Sequence, residues 1–330
     1  MLAALLAMTL AAAAVPASSG ADSDSTLPLR FVPGASLAAP EGAMALSEPA
    51  GVAVDAMGQV WASDAAGQRL VHWSAEGRWL GETGALGDGA NQFRNPGAVA
   101  RLGSLGVAVL DIENRRVVAY DLRARLTDLA IALDAPELDS PLGRITPAGL
   151  ASDRGGALYV LDRERDRVLA FDFSGRFLRV LGGVGAGPGS FHGLAALATA
   201  PRGELVTLER PSPPARKARR AAADTLARGT PARIQWLDTG GAPLSAWTLD
   251  LASGRDLSIA VDDSGRVAVA SASGRAGEVR LYARDGGLLA RTSDVAAPRA
   301  LAFAPDGTLL VAEAGAARVR RFTIRRPAGE

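Results

Sequence analysis

The chain has 330 residues, of which 48% are hydrophobic and 22% charged, and its formal net charge is +1. That length and apolar content suffice for a large core, and the near-neutral balance supplies no global field that would select nucleic acid or an anionic membrane. Because there is no cysteine, disulfides, thiolate nucleophiles and cysteine-ligated zinc or iron–sulfur centres are excluded.

The first segment, MLAALLAMTLAAAAVPASS, is apolar from Leu2 to Val15 and then offers a small-residue site, Val15-Pro16-Ala17. The run is too short to cross a bilayer comfortably and has the form of a secretory signal, although no Lys or Arg precedes it. The expectation is a signal peptide over 1–17, a linker over 18–26 and a periplasmic or secreted mature chain without a transmembrane segment. The remainder, 27–330, reads as one domain.

From residue 46 onward short apolar runs alternate with Gly, Asp and Pro turns, the pattern of many short strands. The stretch from Glu48, EPAGVAVDAMGQVWASDAAGQRLVHWSAEGRWLGETG, aligns without a gap with TPAGLASDRGGALYVLDRERDRVLAFDFSGRFLRVLGG from Thr146. Each copy reads as a four-stranded antiparallel meander. An acidic residue closes the second strand at Asp64, Asp111, Asp162, Glu209 and Glu313, with Ser271 in its place once. In four copies an arginine follows five residues later: Asp64–Arg69, Asp111–Arg116, Asp162–Arg167 and Glu313–Arg318. Across a tight hairpin this spacing sets carboxylate and guanidinium side by side, where an ion pair fixes register. One pair per repeat points to scaffolding rather than catalysis.

The glycine-rich stretch LGGVGAGPGSFHG, Leu181 to Gly193, resembles a phosphate loop at first sight. It occupies the same place in its repeat as TGALGDGANQFRNPG from Thr83. A phosphate loop requires a following helix, a Lys and a Ser/Thr; here a strand follows and no lysine is near. The glycines are expected to turn the chain from rim to axis, with Phe93 and Phe191 plugged between repeats.

Six such units predict an all-β, six-bladed β-propeller of four-stranded antiparallel blades. The sixth repeat lacks a fourth strand, while LPLRFVP (27–33) precedes the first without a partner. The N-terminal strand is therefore expected to complete the last blade and remove its exposed edge.

The strand PAGVAVD, the D-x4-R-V hairpin and the G-x-G-x-x-x-F-x-x-P-G connector resemble the NHL-repeat family over roughly residues 27–326, most strongly in the first three repeats. The resemblance implies a six-bladed propeller that binds ligands at its axial mouth; it implies no single activity. On that frame the positions before each inner strand belong to the mouth, which singles out Glu48, Asn95, Thr146, Gly193, Arg255 and Ala297, with His192 and Asp256 adjacent. Glu48, Asn95 and Asp256 carry oxygens suited to calcium, a set similar to the metal site of gluconolactonase-like propellers. Arg255 would oppose a cation there. His72 and His192 are the only histidines, too few for a catalytic zinc site built mostly on histidine. Of the two, His192 is the better placed to bind a ligand.

The repeat is broken most sharply at RPSPPARKARRAAADTLARGTP, 210–231, inside the fourth repeat. Its basic residues Arg216, Lys217, Arg219, Arg220 and Arg228 face Asp224 alone in sequence, which suggests an arm for an acidic partner. Without interleaved aromatics it does not read as a nucleic-acid helix. Taken together, these features suggest an exported, monomeric, non-enzymatic propeller that presents its mouth and basic arm to a protein or envelope ligand, with no resident cofactor. The alternative is a calcium-dependent, lactonase-like hydrolase using Glu48, Asn95 and Asp256.

Overall fold

The computed structural model describes residues 27–212, 230–251 and 256–327. The 1–17 and 18–26 segments, Arg255, and Arg216, Lys217, Arg219, Arg220 and Arg228 of the basic insertion lie outside the described residues, and so do the expectations placed on them.

Strand β1 (Arg30–Leu37) opens the described chain. The first blade follows as β2 (Pro49–Val54), β3 (Val60–Asp64), β4 (Arg69–Trp73) and β5 (Trp79–Thr83). The second is β6 (Pro96–Leu102), β7 (Gly106–Asp111), β8 (Arg116–Asp121) and β9 (Leu126–Ala132); the third is β10 (Pro147–Ser152), β11 (Leu158–Asp162), β12 (Arg167–Phe171) and β13 (Phe177–Gly182). The fourth comprises β14 (Leu194–Thr199), β15 (Leu205–Glu209), β16 (Ala232–Leu237) and β17 (Pro243–Leu249), and the fifth β18 (Asp256–Val261), β19 (Val267–Ser273), β20 (Ala276–Tyr282) and β21 (Leu288–Ala296). The last contains β22 (Pro298–Phe303), β23 (Leu309–Glu313) and β24 (Arg318–Arg325). Its sheet order is β1-β24-β23-β22, so the N-terminal strand supplies the missing outer strand and closes the ring. The expected six-bladed, all-β propeller is the observed fold. The closing strand is longer than LPLRFVP suggested, because a bulge between Pro33 and Ser36 lets pairing resume as far as Leu37 against Val319.

The core is not central. It consists of six apolar clusters, each shared by two successive blades. Alternation along the second strands explains this: Val60 and Ala62 face the sixth blade, while Trp61 faces the second. Phe93 and Phe191 are fully buried in two of these seams. Their phenyl rings lie so close to Gly84 and Gly182 that a Cβ there would stand 2.5 Å and 2.0 Å from a ring carbon. Both glycines also hold positive φ, 102° and 74°. The glycine-rich connectors thus seat an aromatic plug, and the strands that follow them, β6 and β14, confirm that neither begins a phosphate-binding helix.

The acidic position of the repeat forms a clamp. Asp64, Asp111, Asp162 and Glu313 are fully buried and Glu209 nearly so. Each accepts from the arginine opposite it in register: Arg69 at 3.1 Å, Arg116 at 2.9 Å, and Arg167 and Arg318 at 2.8 Å. In the fourth blade the insertion hides this partner from sequence, but it is Arg233, 2.8 Å from Glu209. The carboxylates also accept the backbone N–H groups of the chain entering their own blade: Glu48 to Asp64 at 2.8 Å, Arg94 to Asp111 at 2.8 Å, Thr146 to Asp162 at 3.0 Å and His192 to Glu209 at 2.9 Å. The arginines donate in turn to carbonyls of the same connectors, Ala45, Gln92, Leu142 and Ser190. In the first four blades a buried carboxylate and its arginine therefore fasten the connector from both sides, while Glu313 of the last blade takes Arg320 as a second partner at 2.9 Å. A short helix, α1 (Pro136–Leu142), embellishes the connector into the third blade and buries Leu138; the strand repeat gave no sign of it.

His72 is structural. Its ring stacks on Trp61 at 4.4 Å, and Nδ1 lies 3.1 Å from the Gly81 carbonyl oxygen. Burial pushes its pKa below the ordinary histidine value, against the opposing pull of that carbonyl and Asp55.

Removing a clamp carboxylate, Asp162→Ala, leaves Arg167 and the Thr146 amide without their acceptor and is expected to cost about 3–5 kcal/mol in denaturant unfolding. A loss within that of ordinary surface substitutions would contradict the clamp. His72 adds a pH dependence of its own. Its folded pKa is depressed, so its contribution is complete above the unfolded pKa and is lost as pH falls through the acid range. Unfolding midpoints measured between about pH 5 and 8 should show this acid-side loss, and His72→Gln should flatten it.

Candidate functional site

The clamps position one mouth of the axial channel. The residue after each clamp carboxylate turns back to the residue before the inner strand through a main-chain hydrogen bond: Ala65 N–H to Glu48 O, Ile112 to Asn95, Arg163 to Thr146, Arg210 to Gly193 and Ala314 to Ala297. The mouth encloses a cavity of about 420 Å³. Each blade contributes a charged or amide side chain to its lining, Glu48, Asn95, Arg163, Arg210, Asp256 and Arg299 in chain order, and the fifth adds the Ser258 hydroxyl.

Arg299 organises the carboxylates. It is the second residue of β22, where the other blades place Ala50, Gly97, Ala148, Ala195 and Leu257. Four of those five are alanine or glycine, which leaves room for one long side chain to extend into the cavity. Its guanidinium pairs with Asp256 at 2.7 Å and lies 3.7 Å from Glu48. Asp256 and Glu48, from the fifth and first blades, are thereby drawn around one cation. Arg163 is exposed in the cavity and Arg210 partly buried. Burial and the neighbouring Arg210 charge lower the Arg163 pKa, while Asp256 opposes the shift.

Of the residues singled out from sequence, Glu48, Asn95 and Asp256 come together in this lining. Thr146 and His192 do not line the cavity; their backbone amides serve the clamps, and the His192 side chain is solvent-exposed. Arg163, Arg210 and Arg299 were missed. Two of them follow a clamp acid directly in sequence, and the third is the only arginine at a position otherwise held by Ala, Gly or Leu. Those are the signals that could have found them.

Calcium does not fit the set as arranged. A calcium site gathers oxygen donors around an excess of negative charge, whereas here a guanidinium occupies the place between the two carboxylates. Among the described residues the lining carries three arginines against two acids. Among the described residues no group of three or more His, Asp or Glu side chains is placed to hold a metal.

The opposite mouth has a larger cavity, about 500 Å³. Its acids are committed to turns: Asp153 accepts from Ala157, Asp262 from Ser264 and Arg266, and Asp306 from Thr308. Another exposed carboxylate, Asp263, pairs with Arg154 at 2.6 Å. That end reads as hairpin architecture.

No family model matches the sequence, and no curated protein matches it. Among solved structures it is similar to a streptogramin B lyase at 12% identity and TM-score 0.58, over 89% of this chain and 98% of that one. It is also similar to a gluconolactonase from Xanthomonas campestris, at 14% identity and TM-score 0.56, over 86% and 87% of the two chains. The virginiamycin B lyase of Staphylococcus aureus matches at 12% identity and TM-score 0.55, over 85% and 97%. At these identities what is shared is the fold, and the NHL-repeat assignment is not established. The expectation of a non-enzymatic binding propeller is corrected by this finding, since the neighbours are lyases and a lactonase and favour the enzymatic alternative. Among the described residues no helix is long and apolar enough to cross a membrane. The chain is a six-bladed β-propeller of the architecture on which these enzymes are built.

Replacing Arg299 tests the organisation of the mouth. Arg299→Ala removes the group that joins Glu48 to Asp256. A double-mutant cycle of Arg299→Ala with Asp256→Ala in denaturant unfolding is expected to show a coupling of about 0.5–3 kcal/mol. A coupling indistinguishable from zero would contradict the bridge.

Proposed function

We propose that the axial cavity is the active site of a hydrolase that opens a small ester or lactone. The observation that carries this reading is the Asp256–Arg299–Glu48 bridge inside a cavity of about 420 Å³, a volume within the ordinary range for small-molecule sites. The similarity to a gluconolactonase fold supports it.

Glu48 is the freer carboxylate. Its contact to Arg299 is the longer one, and its side chain is 48% exposed. It serves as the general base, taking a proton from the attacking water and returning it to the leaving alkoxide. Arg299, held in place by Asp256, presents its guanidinium to the oxyanion that develops as water adds to the carbonyl carbon. Asn95, next around the ring, supplies an amide for orienting the substrate carbonyl or the water. A fixed guanidinium performs the electrostatic work assigned to calcium in the sequence-based alternative, so no step requires a metal. We also read residues 1–17 as an export signal that places this activity in the periplasm or outside the cell; the mature protein should then begin near Ser18 on N-terminal sequencing.

A panel of γ- and δ-lactones and short esters, followed by acid release in labelled water, tests the chemistry. Turnover with the label incorporated into the carboxylate is expected, retained in the presence of a chelator. Glu48→Gln should lower kcat by about 100-fold or more. Product formed without label would indicate elimination rather than hydrolysis. Loss of activity to a chelator with recovery on adding calcium would show that the guanidinium does not replace the ion.

A further inference from the structure

The three arginines of the mouth are not equivalent. Arg299 is satisfied by Asp256 and Glu48, the only two carboxylates in the lining among the described residues. Arg163 and Arg210 come from the adjacent third and fourth blades. Both are fixed at the backbone by the same device, Arg163 N–H to Thr146 O at 3.0 Å and Arg210 N–H to Gly193 O at 2.9 Å. Among the described residues, no side chain or carbonyl accepts a hydrogen bond from the Arg163 guanidinium. The Arg210 Nε is buried and has no acceptor. Two arginines lining one cavity thus have no acceptor among the described residues for their guanidinium N–H groups, and the only opposing charge on Arg163 is that of Asp256, already paired with Arg299. An unpaired guanidinium Nε removed from water is costly, and a planar oxyanion with two or three oxygens is the group whose geometry answers a pair of guanidinium forks.

We propose that Arg163 and Arg210 form an anion subsite in the axial cavity that binds a carboxylate or phosphate group of a small ligand. The subsite lies across the third and fourth blades, and the Asp256–Arg299–Glu48 bridge spans the fifth, sixth and first. A ligand seated on the two arginines therefore holds its remaining atoms toward the bridge. Resting on the hydrolase reading, this makes the substrate an ester or lactone that carries its own negative charge. The subsite itself does not depend on that reading, because it can be measured without turnover.

Titration calorimetry with succinate and with inorganic phosphate, at constant ionic strength, on the intact protein tests the subsite. One-to-one binding of at least one anion is expected, and the tighter of the two identifies the group. Arg163→Gln and Arg210→Gln should each weaken it at least about tenfold, while Arg101→Gln at the opposite mouth should leave it unchanged. Melting curves verify that each variant is folded. Binding of neither anion would overturn the proposal, as would equal affinity in either arginine variant. In the lactone assay, Arg163→Gln should raise KM for carboxylated lactones and leave KM for neutral ones unaltered. If no lactone turns over while the anion still binds through Arg163 and Arg210, the hydrolase reading fails and the subsite stands.

Discussion

The structure depends on a buried ion pair that recurs once in most blades. A carboxylate at the end of the second strand meets an arginine at the start of the third, and between them they fasten the chain arriving from the previous blade. In four connectors a backbone amide and a carbonyl would otherwise lack these partners, because connectors there are neither strand nor helix. A buried ion pair alone is weak support for stability, since desolvation offsets much of its attraction. Its value here comes from the additional bonds. The carboxylate accepts connector amides while the guanidinium donates to connector carbonyls, so one pair satisfies groups on three segments of chain. The fifth blade departs from this pattern: Ser271 stands at the acidic position and pairs in register with Glu278.

The same clamp connects fold to chemistry. Because the residue following each carboxylate is bonded to the residue preceding the inner strand, a ring of side-chain positions around the mouth is fixed by scaffold alone. What differs from blade to blade is the side chain carried at each position. The ring holds Ala65, Ile112, Arg163, Arg210 and Ala314 after the clamp acids, and Glu48 and Asn95 before two of the inner strands. Substituting at these positions leaves the blades intact while redrawing the charge around the axis. This gives a physical reason why one propeller frame accommodates lyases and lactonases at identities of 12–14%.

How much was legible in the sequence follows the same division. The blades were, because each depends on local alternation, turn residues and a register-setting pair that recur at nearly fixed spacing. The ring closure was, because an unpaired strand at one end matched a missing strand at the other. Helix α1 was not, since seven residues with a proline at each end carry no periodic signal. Of the site, sequence pointed to Glu48, Asn95 and Asp256 among the mouth positions and offered calcium as the alternative occupant, because residue types alone say nothing about what lies between them. The guanidinium of Arg299 decides that question, and it arrives from a strand where the repeat led one to expect a small residue. Arg163 and Arg210 stand directly after clamp acids, a position at which the repeat pattern singles out no side chain.

Native-state amide hydrogen exchange at the connectors is the most direct test of this account. The amides of Glu48, Arg94, Thr146 and His192 lie outside regular strands, and in an unfastened loop they would exchange rapidly. If buried carboxylates hold them, all four should exchange as slowly as amides of the inner strands. Exchange at loop rates would show that the clamps do not fix the mouth, and the arrangement of charges around the axis would lose its foundation.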